Sequence, residues 1–133
     1  MAERVYCLYR GKDQESILMQ KNACHDFAEK KGWNIVGEEQ EIGVSGYKVS
    51  TDDLVKLKRI RKAAEQGEFD ILLVFMYDRL GRNLNEPPFI AEWFTKKGIH
   101  VWSVYEGEII DGVDAERMLD YIRFWQTDEA QKL

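Results

Sequence analysis

Cysteine is scarce: the chain has two, Cys7 and Cys24, and they are not spaced as a metal-binding pair. This excludes a disulfide-dense or zinc-stapled module. Both cysteines instead read as small core residues, Cys7 in a strand and Cys24 on the apolar face of a helix. Two prolines and ten glycines are too few for a fibrous or disordered chain. No apolar run approaches ~18 residues, so no membrane-spanning helix is expected. The first residues, MAERVYCLYR, carry charge where a secretory signal would need an apolar core. Together these absences predict a cytoplasmic protein. Histidine is limited to His25 and His100, which are isolated from each other and read as structural. A basic excess is also lacking. The net charge is −5 and the pI is near 5.1, which taken alone disfavours a stand-alone DNA-binding module.

What remains is an ordinary globular composition, 44% apolar and 32% charged over 133 residues, which suits one domain over 1–133. A chain of this size buries roughly two-thirds of its unfolded surface, enough for a core without covalent staples.

Two hydrophobic patterns alternate along it. Arg4 to Tyr9 is a short β-rich run. From Ser16 to Lys31 the apolar residues Ile17, Met19, Ala23, Cys24, Phe27 and Ala28 recur mostly at helical spacing, with Ser16 as N-cap and Gly32 as the stop. Trp33 to Val36 reads as a second strand and Glu41 to Gly46 as a glycine-rich loop. A helix is predicted from Thr51 or Asp52 to Gln66. Phe69 to Met76 is almost continuously apolar, as in a strand buried on both faces. A polar loop, Asp78 to Asn83, precedes a helix opened by Pro87 and Pro88 and running to Lys97. Ile99 to Tyr105 reads as a strand and Val113 to Gln126 as a last helix. Strands separated by helices predict an α/β fold of three layers, a mostly parallel central sheet of four to five strands flanked by helices.

Ligands of open α/β sheets sit beyond the carboxyl ends of the strands. Arg10 follows the first strand there, and Asp78, Arg79 and Arg82 follow the third. Converging guanidinium groups suit phosphate, because each offers planar donors that stay charged, and they suit the charge of a phosphoryl-transfer transition state. The alternative is pairing with some of the 24 acidic residues.

Four elements occur in order: Tyr9-Arg10, Ser16-Ile17-Leu18-Met19-Gln20, Glu41-Ile42-Gly43-Val44-Ser45-Gly46 and Tyr77-Asp78-Arg79-Leu80-Gly81-Arg82. Over nearly the whole chain this resembles the catalytic domain of serine site-specific recombinases, the resolvase/invertase and large serine integrase group. The resemblance implies DNA cleavage by a serine hydroxyl, a 5′-phosphoserine link, strand exchange within a tetramer and rejoining. It assigns Arg10, Arg79 and Arg82 to the scissile phosphate, Asp78 to the acid beside them, Gln20 to a glutamine on the first helix and Glu41 to the place of an aspartate. No cofactor or metal is implied, since arginines supply the charge that a two-metal nuclease takes from Mg²⁺. It also implies a long C-terminal dimerisation helix, where the aromatic residues Tyr121, Phe124 and Trp125 suit a subunit contact. The resemblance further implies that sequence-specific DNA recognition belongs to a separate domain of a longer recombinase, so weak, non-specific DNA binding is expected of this chain.

The chain departs from the family at the nucleophile. That serine lies two residues after the arginine, where this chain has Lys12, and the stretch before Ser16 is short. Three explanations remain: a serine-bearing stretch is missing from this sequence, the chain is an inactive form, or Ser16 has taken over. Ser45 reads as a hydrogen-bonding residue near the site. The family also has an arginine in the next helix, where this chain has Leu54; Lys48 supplies some of that charge. The basic helix with Lys56 and Arg59 could track DNA phosphates or be a solvated face balanced by Asp52, Asp53 and Glu65. Two alternatives to recombination are an inactive dimerisation or regulatory domain and a flavodoxin-like module for a small phosphate ligand. The latter would need a glycine-rich first loop that the chain lacks.

Overall fold

The computed structural model describes residues 2–11, 13–42, 55–77 and 86–109. In chain order they form β1 (Arg4–Gly11), α1 (Gln14–Lys31), β2 (Asn34–Ile42), α2 (Val55–Glu65), β3 (Ile71–Val74), α3 (Glu86–Lys96), β4 (His100–Ser103) and β5 (Gly107–Ile109). The five strands make one sheet in the order β2-β1-β3-β4-β5. All neighbours pair in parallel except β4 with β5.

Strand alternation divides the core into two faces. Val5, Cys7, Tyr9, Ile71 and Leu73 point to one side and pack with Ile17 and Cys24 of α1. Leu8, Leu72, Val74 and Val101 point to the other and pack with Ile60 of α2 and Ile90 and Phe94 of α3. The result is the three-layer α/β fold expected from the sequence. All four residues of β3 are buried, as the continuous apolar run predicts. Both cysteines are buried and free. Beside α1, Trp33 and Trp102 meet edge to face at 5.1 Å, with the Lys31 ammonium 5.0 Å from the Trp102 ring.

Several expected boundaries are corrected. The N-cap of α1 is Asp13, not Ser16: its backbone is extended and its carboxylate accepts the Ser16 N–H at 2.8 Å. The second strand runs to Ile42, well past Val36, because β1 is long enough to pair with it up to Gly11↔Ile42. Glu41 is therefore in a strand rather than a loop. The third strand is shorter than Phe69 to Met76, and the fourth ends at Ser103, where the chain turns into the antiparallel β5. Gly32 does stop α1, in the left-handed conformation at φ 73°. The predicted helix from Val113 to Gln126 lies outside the described residues. Among the described residues no helix is long and apolar enough to cross a membrane.

Candidate active site

The sheet changes winding direction between β1 and β3, and Arg10 lies at the carboxyl end of β1. In β1 the Arg4 carbonyl accepts the Asp70 N–H at 2.8 Å, so even-numbered residues of β1 turn their main-chain groups toward β3. The β1–β3 ladder stops at Leu8↔Val74, two residues before Arg10. The Arg10 peptide groups thus point past the last β3 residue in register.

Gln20 takes the place of that strand. It reaches from the second turn of α1, fully buried, and its amide pairs with both main-chain groups of Arg10. Oε1 accepts the Arg10 N–H at 3.2 Å, and Nε2 donates to the Arg10 carbonyl at 2.8 Å. The same nitrogen donates to Ser16 Oγ at 3.3 Å. Gly11 leaves room for this arrangement, since a Cβ there would stand 2.6 Å from Ser16 Oγ. Arg10 is itself only 7% exposed, and register sets it beside Glu41 of β2. Arg10, Ser16, Gln20 and Glu41 are therefore gathered at one end of the sheet, two on adjacent strands and two on the helix that covers them.

One layer inward, the Tyr9 hydroxyl donates to Glu38 Oε2 at 2.7 Å, and His25 Nε2 meets the same oxygen at 2.8 Å. Burial pushes the Tyr9 phenol up, and Cys7 and Glu38 add to the shift. Burial alone would raise the Glu38 carboxyl, but the hydrogen bonds from His25 and Tyr9 hold it below the usual range. His25 is structural, as expected, and fastens α1 to β2.

At the end of β3, Tyr77 is fully buried and immediately precedes Asp78. Its N–H donates to the Glu106 carboxylate, 3.1 Å from each oxygen. Burial, with the nearby Glu106 charge, pushes the Tyr77 phenol up. Asp78, Arg79, Arg82, Ser45, Lys48 and Leu54 lie outside the described residues.

The basic helix divides its charges. Arg59 pairs with Glu39 of β2 at 3.8 Å, so an acid of the sheet balances part of this face; Asp52 and Asp53 lie outside the described residues. Arg61 lies over the Trp93 ring at 5.3 Å and serves α2–α3 packing. Lys56 occupies the first turn of α2. Glu106 escaped the sequence reading. Its trace was the Ser103-Val-Tyr-Glu106 spacing, the same S-x-x-E pattern that makes a capping box. Without a predicted turn there, the spacing had no context.

The family model for the resolvase N-terminal domain matches residues 10–129. The chain belongs to the resolvase family. No curated protein sequence matches this resolvase domain. Among solved structures it is similar to the N-terminal catalytic domain of TP901-1 integrase, at 24% identity and a TM-score of 0.73, over 93% of this chain and 96% of that one. A resolvase family site-specific recombinase from Streptococcus pneumoniae is 21% identical with a TM-score of 0.72, over 92% of this chain and 87% of that one. The C-terminal catalytic domain of ISC1926 TnpA, an IS607-like serine recombinase, is 21% identical with a TM-score of 0.66, over 96% and 91%. These likenesses are of fold. The resolvase domain shares with these structures the mostly parallel sheet that sets Arg10 at a strand end.

Proposed function

We propose that this resolvase domain acts in site-specific DNA recombination by serine-phosphodiester transesterification. The observation that carries it is the Gln20 clamp, which fixes the Arg10 main chain at the strand end beside Ser16 and Glu41. A guanidinium stays charged even when buried and offers a planar fork to a phosphate, and a fixed main chain limits where that fork can reach. Arg79 and Arg82, from the segment after β3, join it on the scissile phosphate, and Asp78 orients them. In the reaction a serine oxygen bonds to phosphorus while the bond to the DNA 3′ oxygen breaks. The serine proton passes to a base and the departing 3′ oxygen gains one, leaving a 5′-phosphoserine and a free 3′-hydroxyl. Rejoining runs the same exchange backwards, so no external energy source is consumed. The partners are DNA and further copies of the chain, a dimer that becomes a tetramer in the synaptic complex, in the cytoplasm.

Ser16, whose Oγ accepts from the Gln20 amide at 3.3 Å, is the candidate nucleophile in this reading. A second reading has its own support. Only Lys12 and Asp13 separate β1 from α1, and Lys12 stands where the family nucleophile belongs, which fits an inactive dimerisation or regulatory domain. A suicide duplex, whose cleaved end diffuses away, separates the two. A covalent adduct that disappears in Ser16→Ala supports cleavage with Ser16 as nucleophile. No adduct, in a chain whose coding DNA carries no serine codon between Arg10 and Ser16, sinks the enzymatic reading and leaves the regulatory one. The sheet order also occurs in flavodoxin-like folds. Flavin absorbance in the purified protein would sink both readings.

A further inference from the structure

β3 and β1 end in the same predicament and solve it the same way. Past Val74 the chain stays alongside the turn that follows β4: the Val104 N–H donates to the Val74 carbonyl at 2.9 Å, and the Tyr105 N–H to the Phe75 carbonyl at 3.2 Å. The next anchor is a side chain. The Glu106 carboxylate accepts the Tyr77 N–H through both oxygens, each at 3.1 Å.

That carboxylate is held from behind. Ser103, fully buried, donates its hydroxyl to Glu106 Oε1 at 2.9 Å and accepts the Glu106 N–H at 2.8 Å. The reciprocal pair locks the Glu106 side chain at the mouth of the β4–β5 turn. A charged acceptor on a buried N–H makes a stronger bond than a neutral one. A strand end could simply have frayed into solvent.

We infer that Glu106, set by Ser103, is a positioning residue for the arginine-bearing segment Asp78 to Arg82. By fixing the Tyr77 N–H it holds the residue from which that segment starts, as Gln20 holds the Arg10 main chain at the end of β1. The contact stands on its own geometry; what the positioned arginines do rests on the recombinase reading above.

The test uses the full chain in two arms. The first is amide NMR on wild type, Glu106→Gln, Glu106→Ala and Ser103→Ala. The Tyr77 amide proton is expected to shift in Glu106→Gln, which replaces a charged acceptor by a neutral one while keeping one oxygen acceptor and the volume. In Glu106→Ala its exchange with solvent rises roughly tenfold or more, as for loss of a hydrogen bond to a charged group, and the Asp78 to Arg82 resonances move. Unchanged Asp78 to Arg82 resonances beside a lowered melting temperature would overturn the proposal, because a purely structural glutamate behaves that way. The second arm measures affinity for a short DNA duplex in wild type, Arg79→Ala, Glu106→Ala and the double variant. Glu106→Ala is expected to weaken binding in the wild-type background and to change little once Arg79 is gone, the non-additivity of residues acting through one another. Additive losses overturn the positioning role. If the first arm succeeds while Arg79→Ala binds like wild type, the anchor stands and the recombinase reading of the arginine fails.

Discussion

At the scale of single residues, the site depends on side chains that imitate backbone. Gln20 is the clearest case. An amide offers one donor and one acceptor at the spacing of a peptide, so it completes the ladder where β3 has ended. Its position was legible in the sequence only through the family pattern, and its function was not. A glutamine at helical spacing among Ile17, Cys24 and Ala28 gives no sign that its partner is a peptide on another element. Gln20→Ala would leave the buried Arg10 N–H and carbonyl unsatisfied. The expected cost is about 1–3 kcal/mol of stability, read as a lower denaturant midpoint with an unchanged slope. The same logic explains why Ser16 reads as a cap in the sequence. A serine before an apolar helical run is the usual signature, but Asp13 reaches the same N–H and leaves Ser16 Oγ for Gln20.

At the scale of elements, hydrophobic periodicity placed all four parallel strands and three helices in the right order. Strand ends were less legible, because they depend on the partner's length: β2 outruns its own apolar pattern by following β1, and β3 falls short of its own. The short β5 has almost no pattern to read. Ion pairs across elements were likewise invisible in sequence. Arg4 grips Asp70 with a backbone N–H and both ends of its guanidinium, at 3.0–3.1 Å, and so fastens the start of β1 to the start of β3. The Arg4 hydrogen bond holds the Asp70 carboxyl below the usual carboxylate range. With the folded pKa depressed, the unfolded chain binds the extra proton. The contribution is present above the unfolded pKa of about 3.9 and is lost as pH falls through the lower folded value. Melting temperature should therefore fall less steeply below about pH 4 in Asp70→Asn than in wild type, and added salt should narrow the difference.

At the scale of the whole molecule, the acidic balance and a DNA substrate are compatible. Net charge averages over the surface, whereas the proposed phosphate site draws on a few arginines at one end of the sheet. Binding should accordingly be weak, independent of sequence and strongly weakened by salt. Fluorescence anisotropy with two unrelated duplexes of equal length is expected to give the same affinity and the same salt slope; a strong preference for one would show that this chain carries its own recognition surface. The strand order has another consequence. β1, which carries Arg10, is an inner strand whose two neighbours are made at very different times during synthesis. β2 follows at once, but Asp70 is 66 residues beyond its partner Arg4. A chain emerging from the ribosome can form β1, α1 and β2 as a local unit, yet half of β1 stays open until β3 has left the exit tunnel. The proposed phosphate site is therefore assembled late, and a truncated product ending before β3 would carry Arg10 on a strand edge left open to self-association.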